Sequence, residues 1–209
     1  LAGYLPRTTR AIAVFFRRNG IGSVFDCCAK PVLEFGGTEL AAVSLEKLRS
    51  RLQKAGIREI ITACPNCYHF LKEHTELKLT DVFHSLKKLK FLSARLDEGP
   101  VFVPCPDRKE HLFLHSAREL LELDLQPLEG VQCCGLGGGA MVHEPEIVRN
   151  FREVIRTGGK SYVYCASCAA ALGSAGCDAR HLLAGAFDVH EEPRLGFAGL
   201  LHRCLFKFY

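Results

Sequence analysis

The 209-residue sequence has no run of about 18 apolar residues long enough to cross a bilayer. Its first residues lack the basic, apolar and small-residue order of a secretory signal. There is no basic run and no interleaving of basic with aromatic residues, which argues against a nucleic-acid partner. No G-x-G-x-x-G fingerprint, phosphate loop or nucleophile triad is present, so any flavin or nicotinamide is expected on a partner subunit. His111 and His115 stand four apart, but Glu110 lies on the wrong side of them for a zinc-protease motif. These absences lead to the expectation of a cytoplasmic protein. The chain opens on Leu1 and not on methionine, which reads as the start of a fragment.

Charge is balanced, with 27 basic against 23 acidic residues and a net charge of +4. What stands out is cysteine, eleven of them. Nothing points to an oxidising compartment in which disulfides would persist, so metal or redox chemistry is the leading explanation.

The cysteines repeat. Cys133-Cys134-Gly135 is followed after 30 residues by Cys165-Ala166-Ser167-Cys168, and Cys27-Cys28 precedes Cys64-Pro65-Asn66-Cys67 with 35 residues between. The runs Glu59 to Ala63 and Ser161 to Tyr164 lead into the two CxxC motifs as strands, and each motif then opens a helix. Gly36-Gly37 leads into a helix from Thr38 to Ala55, and Gly137 to Gly139 into one reaching Ile155; both end at glycine. The first is expected to bury Leu40, Val43, Leu48 and Leu52.

Ahead of the second pair, Val101 to Pro104 reads as a strand ending at Cys105, followed by an apolar-periodic segment from His111 to Leu123. The first half offers a helix from Thr8 to Arg18 and a strand from Ser23 to Asp26. Cys105 lies 28 positions before Cys133, and the same spacing from Cys27 falls just ahead of Leu1, where a cysteine is expected in the natural protein. The sequence thus predicts an α/β fold of two tandem cysteine-rich units, 1–95 and 96–209. Each is a short, mainly parallel sheet flanked by helices.

Thiolates are soft ligands for zinc or iron-sulfur clusters, and a CxxC at a helix start can direct both sulfurs at one centre. Unpaired N-H groups there offset the thiolate charge. Adjacent cysteines diverge in extended chain and suit a multi-iron core with several attachment points. The neighbouring glycines allow the backbone to approach such a core.

The set Cys105, Cys133-Cys134-Gly135 and Cys165-Ala166-Ser167-Cys168 resembles the CCG domain found in the cysteine-rich component of heterodisulfide reductase. Related proteins serve lactate-utilisation, glycolate and anaerobic glycerol-3-phosphate oxidation. The resemblance implies an electron-transfer subunit of an oxidoreductase complex, working with flavoprotein or ferredoxin-like redox subunits. It also implies that Cys105, Cys133, Cys134, Cys165 and Cys168 hold a 4Fe-4S cluster, non-cubane in form, at which reduction chemistry can occur.

The first copy departs from the motif, with Ala29 in place of the glycine and four cysteines, Cys27, Cys28, Cys64 and Cys67. Alanine restricts positive backbone angles and is expected to shift this loop, leaving an ordinary cubane cluster, zinc or nothing as the occupant. Two rival functions remain: a structural zinc-binding interaction module, and a thiol-disulfide oxidoreductase using CxxC directly.

Cys177 and Cys204 fall outside both motifs and read as buried apolar residues. His84 and His181 occupy similar places after each CxxC, as helix caps, packing residues or donors to a metal site. The apolar segment Leu195 to Tyr209 either closes the second core or docks on a partner or the inner membrane surface.

Overall fold

The structure is a computed structural model and describes residues 1–193 together with Gly196, Gly199, Leu201 and Phe206. Among these residues ten helices surround two small sheets, every strand pairing of which is parallel. In the first half the order is α1 (Pro6–Arg18), α2 (Lys30–Glu34), α3 (Thr38–Lys54), β1 (Glu59–Thr62), α4 (Pro65–His74), β2 (Lys78–Asp81) and α5 (Val82–Lys88). The second half opens on β3 (Val101–Phe102) and a 3-10 turn at Cys105–Asp107. It then repeats the first half with α6 (Leu112–Leu121), α7 (Ala140–His143), α8 (Pro145–Thr157), β4 (Ser161–Val163), α9 (Ala166–Ser174), β5 (Ala179–His181) and α10 (Leu182–Ala186). The predicted α/β fold of two tandem units is what forms.

The registers show how strictly the halves agree. Glu59 to Thr62 pair with Lys78 to Asp81, and Ser161 to Val163 pair with Ala179 to His181. The second sheet adds β3 beside β4, with order β3-β4-β5. In each half a positive-φ glycine, Gly56 or Gly159, turns the chain from the long helix into the strand that ends at CxxC.

Three sequence expectations are corrected. Ser23 to Asp26 forms no strand; residues 21–28 run without ladder partners. The helix expected from the second glycine run to Ile155 is two helices, interrupted at Glu144 ahead of Pro145, whose ring disfavours helical geometry in the preceding residue. On α3 the buried residues are Ala41, Leu48 and Leu52, spaced seven and four apart, while Leu40 and Val43 lie exposed. At about 3.6 residues per turn those spacings are two turns and one, whereas Leu40 and Val43 point elsewhere.

The largest core belongs to both halves. Ile12 and Phe16 of α1 and Val82, Phe83 and Leu86 of α5 pack with Phe113, Leu114 and Ala117 of α6, Tyr164, and Leu182 and Leu183 of α10. Two smaller cores carry the cysteines: Cys28 packs with Leu48, Leu52, Phe70 and Leu71, and Cys134, Cys165 and Cys168 with Val131, Ile155, Val163 and Leu172. The cysteine sets are therefore mounted on their own halves and held in register by the shared core.

No helix among the described residues is long and apolar enough to cross a membrane. The segment from Leu195 to Tyr209, with Cys204 and His202, lies largely outside the described residues. Of those that are described, Phe206 is buried with its ring 4.8 Å from that of Phe25, and Leu201 is exposed.

Candidate metal centre

Cys64 and Cys165 are the N-caps of α4 and α9, each in extended backbone, so each CxxC turns from strand end into the first helical turn. Proline at the first position of α4 suits this entry, because its missing N-H would have had no helical partner. Both motifs therefore sit at the C-terminal edge of a parallel strand, where unpaired N-H groups also converge.

Packing then joins the two sets. Helix α4 leans on the Cys105–Asp107 turn, with Tyr68 edge-on to Phe113 at 5.7 Å and His69 Nε2 at 3.6 Å from Asp107 Oδ1. Asp107 is fully buried and accepts from the backbone N-H groups of Phe113 and Leu114 and from the Tyr164 hydroxyl at 2.9 Å. One carboxylate thus ties the Cys105 turn to the start of α6 and to the residue preceding Cys165. The result is that Cys64 and Cys165 meet in hydrogen-bonding contact across the halves.

From that junction the sulfurs run outward as a string. Cys64 contacts Cys67, Cys67 contacts Cys28, and Cys28 contacts Cys27. On the other side Cys165 contacts Cys168, Cys168 contacts Cys134, and Cys133 beside it contacts Cys105. Cys27 and Cys105 are exposed, whereas Cys165 and Cys168 are buried. All nine cysteines singled out in the sequence belong to this string; Cys177 does not, and its buried sulfur donates to the Arg152 carbonyl at 3.4 Å.

Acidities follow hydrogen-bond polarity along the string. Cys28 is lowered to about 3, chiefly by donation from Cys27 and then from Cys67. Cys133 is lowered to about 6 by donation from Cys105, with the Gly135 N-H also reaching its sulfur at 3.2 Å. Donation from Cys168 lowers both Cys134 and Cys165. The donors are displaced upward: Cys67 by its bond to Cys28, Cys64 by its bond to Cys165, Cys105 by its bond to Cys133, and Cys168 by its bond to Cys134. Thiolates and thiols therefore share protons pair by pair along the string, and metal binding would displace those protons.

The flanking loops differ in one respect from expectation. Ala29 adopts φ +69°, close to the +83° of Gly135, so the alanine takes the left-handed conformation and does not shift the loop. The consequence falls on the neighbours. A Cβ at Gly135 would overlap Val148 Cγ1 and stand 3.1 Å from Arg152 Nη2.

Arg152 bonds the Cys134 carbonyl through Nε and Nη2 at 3.1 and 2.9 Å. Arg108 bonds the carbonyls of Val103 and Val131. Both cations are part-buried beside the second set. Arg49, the counterpart of Arg152 in register with the Gly56 and Gly159 turns, instead reaches Glu46 on the surface.

Of the histidines compared in sequence, His84 and His181 are not equivalent. His181 ends β5 and caps α10, the place taken in the first half by Asp81, while His84 lies three residues into α5 and is exposed. Asp107, Tyr164, Arg108 and Arg152 are further residues that sequence reasoning missed. No spacing rule marks them.

Among the described residues no three histidine, cysteine or acidic side chains are grouped closely enough to cage one metal ion. A structural zinc site requires four donors converging on a tetrahedron. A string of thiolates with backbone N-H groups at its sulfurs is the donor set of a larger inorganic core with several attachment points, which fits an iron-sulfur cluster.

A tandem α/β protein with a shared row of cysteines has the donor set of a metal-binding redox protein. More narrowly, residues 4–72 and 101–173 each match the CCG cysteine-rich domain, and the chain belongs to that family, typical of iron-sulfur oxidoreductase subunits. Comparison with curated proteins and with solved structures returned no match.

Proposed function

We propose that the protein is an iron-sulfur electron-transfer subunit of an oxidoreductase complex of the heterodisulfide reductase type. The observation that carries this reading is the row of sulfurs from exposed Cys27 through buried Cys165 and Cys168 to exposed Cys105, in which Cys134 and Cys133 are joined as chain neighbours. Cys105, Cys133, Cys134, Cys165 and Cys168 would hold a 4Fe-4S cluster, non-cubane in form, and Cys27, Cys28, Cys64 and Cys67 a second cluster. Such a cluster supplies one-electron transfer, and at the five-cysteine set it supplies a site for reduction chemistry. Flavoprotein or ferredoxin-like subunits are the proposed partners.

The protein's own contribution is to hold the sulfurs and set the charge around them. Arg108 and Arg152 favour the reduced, more negative state of a cluster at the second set, while Arg49 is paired away from the first. Arg152→Gln is therefore expected to lower the reduction potential of the second-set cluster and leave that of the first unchanged, read by redox titration. Equal shifts at both sets would contradict this role.

Iron, zinc and acid-labile sulfide measured after anaerobic purification test the reading itself. Iron with matching sulfide is expected. Stoichiometric zinc without sulfide would convert the protein into a structural module.

A further inference from the structure

Asn66, between Cys64 and Cys67 in the first CxxC, donates from Nδ2 to the sulfur of Cys165 in the second half, at 3.6 Å. Its carbonyl end is held by Lys30, whose ammonium reaches Asn66 Oδ1 at 2.9 Å and Glu34 Oε1 at 2.7 Å. A lysine ammonium has only donors, so the amide atom that faces it has to be the acceptor. Lys30 thus turns the NH2 end of the amide toward Cys165.

The arrangement is not mirrored in the second half. Ser167, which takes the place of Asn66 in the second CxxC, stays with its own motif, its Oγ 3.0 Å from Cys165 Sγ. Counted from the left-handed residues Ala29 and Gly135, the place of Lys30 is taken by Leu136, whose side chain has no polar group to hold an amide. Lys30 opens α2 and Glu34 closes it, so the two face each other across one helical turn. Glu34 also lies against the second glycine run, where a Cβ at Gly137 would stand 3.7 Å from its Oε2. The first half therefore sets a held amide donor on a second-set sulfur that is itself fully buried.

We propose that Asn66 is the first half's hydrogen-bond donor to the sulfur of Cys165 in the second-set centre, with Lys30 as the residue that positions it. This rests on the reading that the cysteines hold iron-sulfur clusters. N-H donation to cluster-bound sulfur raises the reduction potential, and the Lys30 charge behind the amide polarises it in the same direction. The potential at the second set is thus set in part by a residue of the first motif.

The test compares wild type, Asn66→Ala and Lys30→Met as anaerobically purified full chains, by redox titration with electron paramagnetic resonance, after iron and sulfide have been measured in the wild type. The second-set signal is the one lost in Cys165→Ser. Asn66→Ala is expected to lower the second-set potential more than the first with iron content unchanged, although the residue lies in the first motif. Lys30→Met, which keeps the apolar stem and leaves Asn66 in place, is expected to lower it by less. A shift confined to the first set in Asn66→Ala, or no shift at either, overturns the role of Asn66. Loss of first-set iron with the second-set potential unmoved overturns it too, as the mark of a residue that only shapes its own motif. A second-set potential unmoved in Lys30→Met overturns the positioning by Lys30. Wild-type protein without iron and sulfide overturns the cluster reading itself, a failure recognised before any variant is compared.

Discussion

Gly135→Ala is expected to unseat the second cysteine set, while Ala29→Gly at the matching position of the first is expected to leave the protein close to wild type. The two positions share a left-handed backbone, at φ +83° and +69°. An alanine at 135 would meet Val148 Cγ1 and crowd Arg152, which anchors the Cys134 carbonyl. Overpacking a close site costs about 1–3 kcal/mol, and the left-handed conformation adds about 1–2 kcal/mol for a residue with a Cβ. These losses fall on the loop carrying Cys133 and Cys134. At position 29 the strain is already present, so glycine relieves it. The entropy gained by the unfolded chain, about 0.5–1 kcal/mol, offsets most of that relief. Chemical denaturation and metal content of both variants check the asymmetry, and equal effects would contradict it.

Cys165→Ser is expected to have the widest effect of any single cysteine change. Cys165 is fully buried, contacts both Cys64 and Cys168, and meets Asn66 Nδ2 at 3.6 Å and Ser167 Oγ at 3.0 Å. Serine is a hard oxygen donor in place of a soft thiolate. The variant should lose the iron held at the second set and alter the spectrum of that held at the first, because the two sets touch at this residue. Cys177→Ser, at a buried cysteine outside the string, should leave both in place. Absorption spectra and iron analysis of the two variants decide it; a first set untouched by Cys165→Ser would mean that the sets are independent.

Much of this is legible in the sequence because it is local. The strand, CxxC and helix succession at Glu59 to His74 and at Ser161 to Ser174 follows from short-range patterning, and the repeat makes each half a check on the other. The junction is not legible. Cys64 and Cys165 are far apart in the chain and meet because Asp107, His69, Tyr68 and Phe113 seat α4 against the Cys105 turn, which only tertiary packing decides. His181 misleads because alignment by motif matches it with His84, whereas alignment by strand end matches it with Asp81. Ser23 to Asp26 has the composition of a strand but lacks a neighbour to pair with among the described residues. The Ala29 loop departs from expectation for a related reason: local strain persists where the surroundings hold it, and Cys28 and Leu33 beside this residue are fixed in a buried cluster.

The central claim is that the cysteine string holds iron-sulfur clusters that carry electrons, and a redox titration of the anaerobically purified protein followed by electron paramagnetic resonance tests it most directly. The account predicts iron-sulfur signals that appear and disappear reversibly with potential, and that change at both sets in Cys165→Ser. A protein holding iron and sulfide whose signals do not respond to potential, or one whose only metal is zinc, would contradict it.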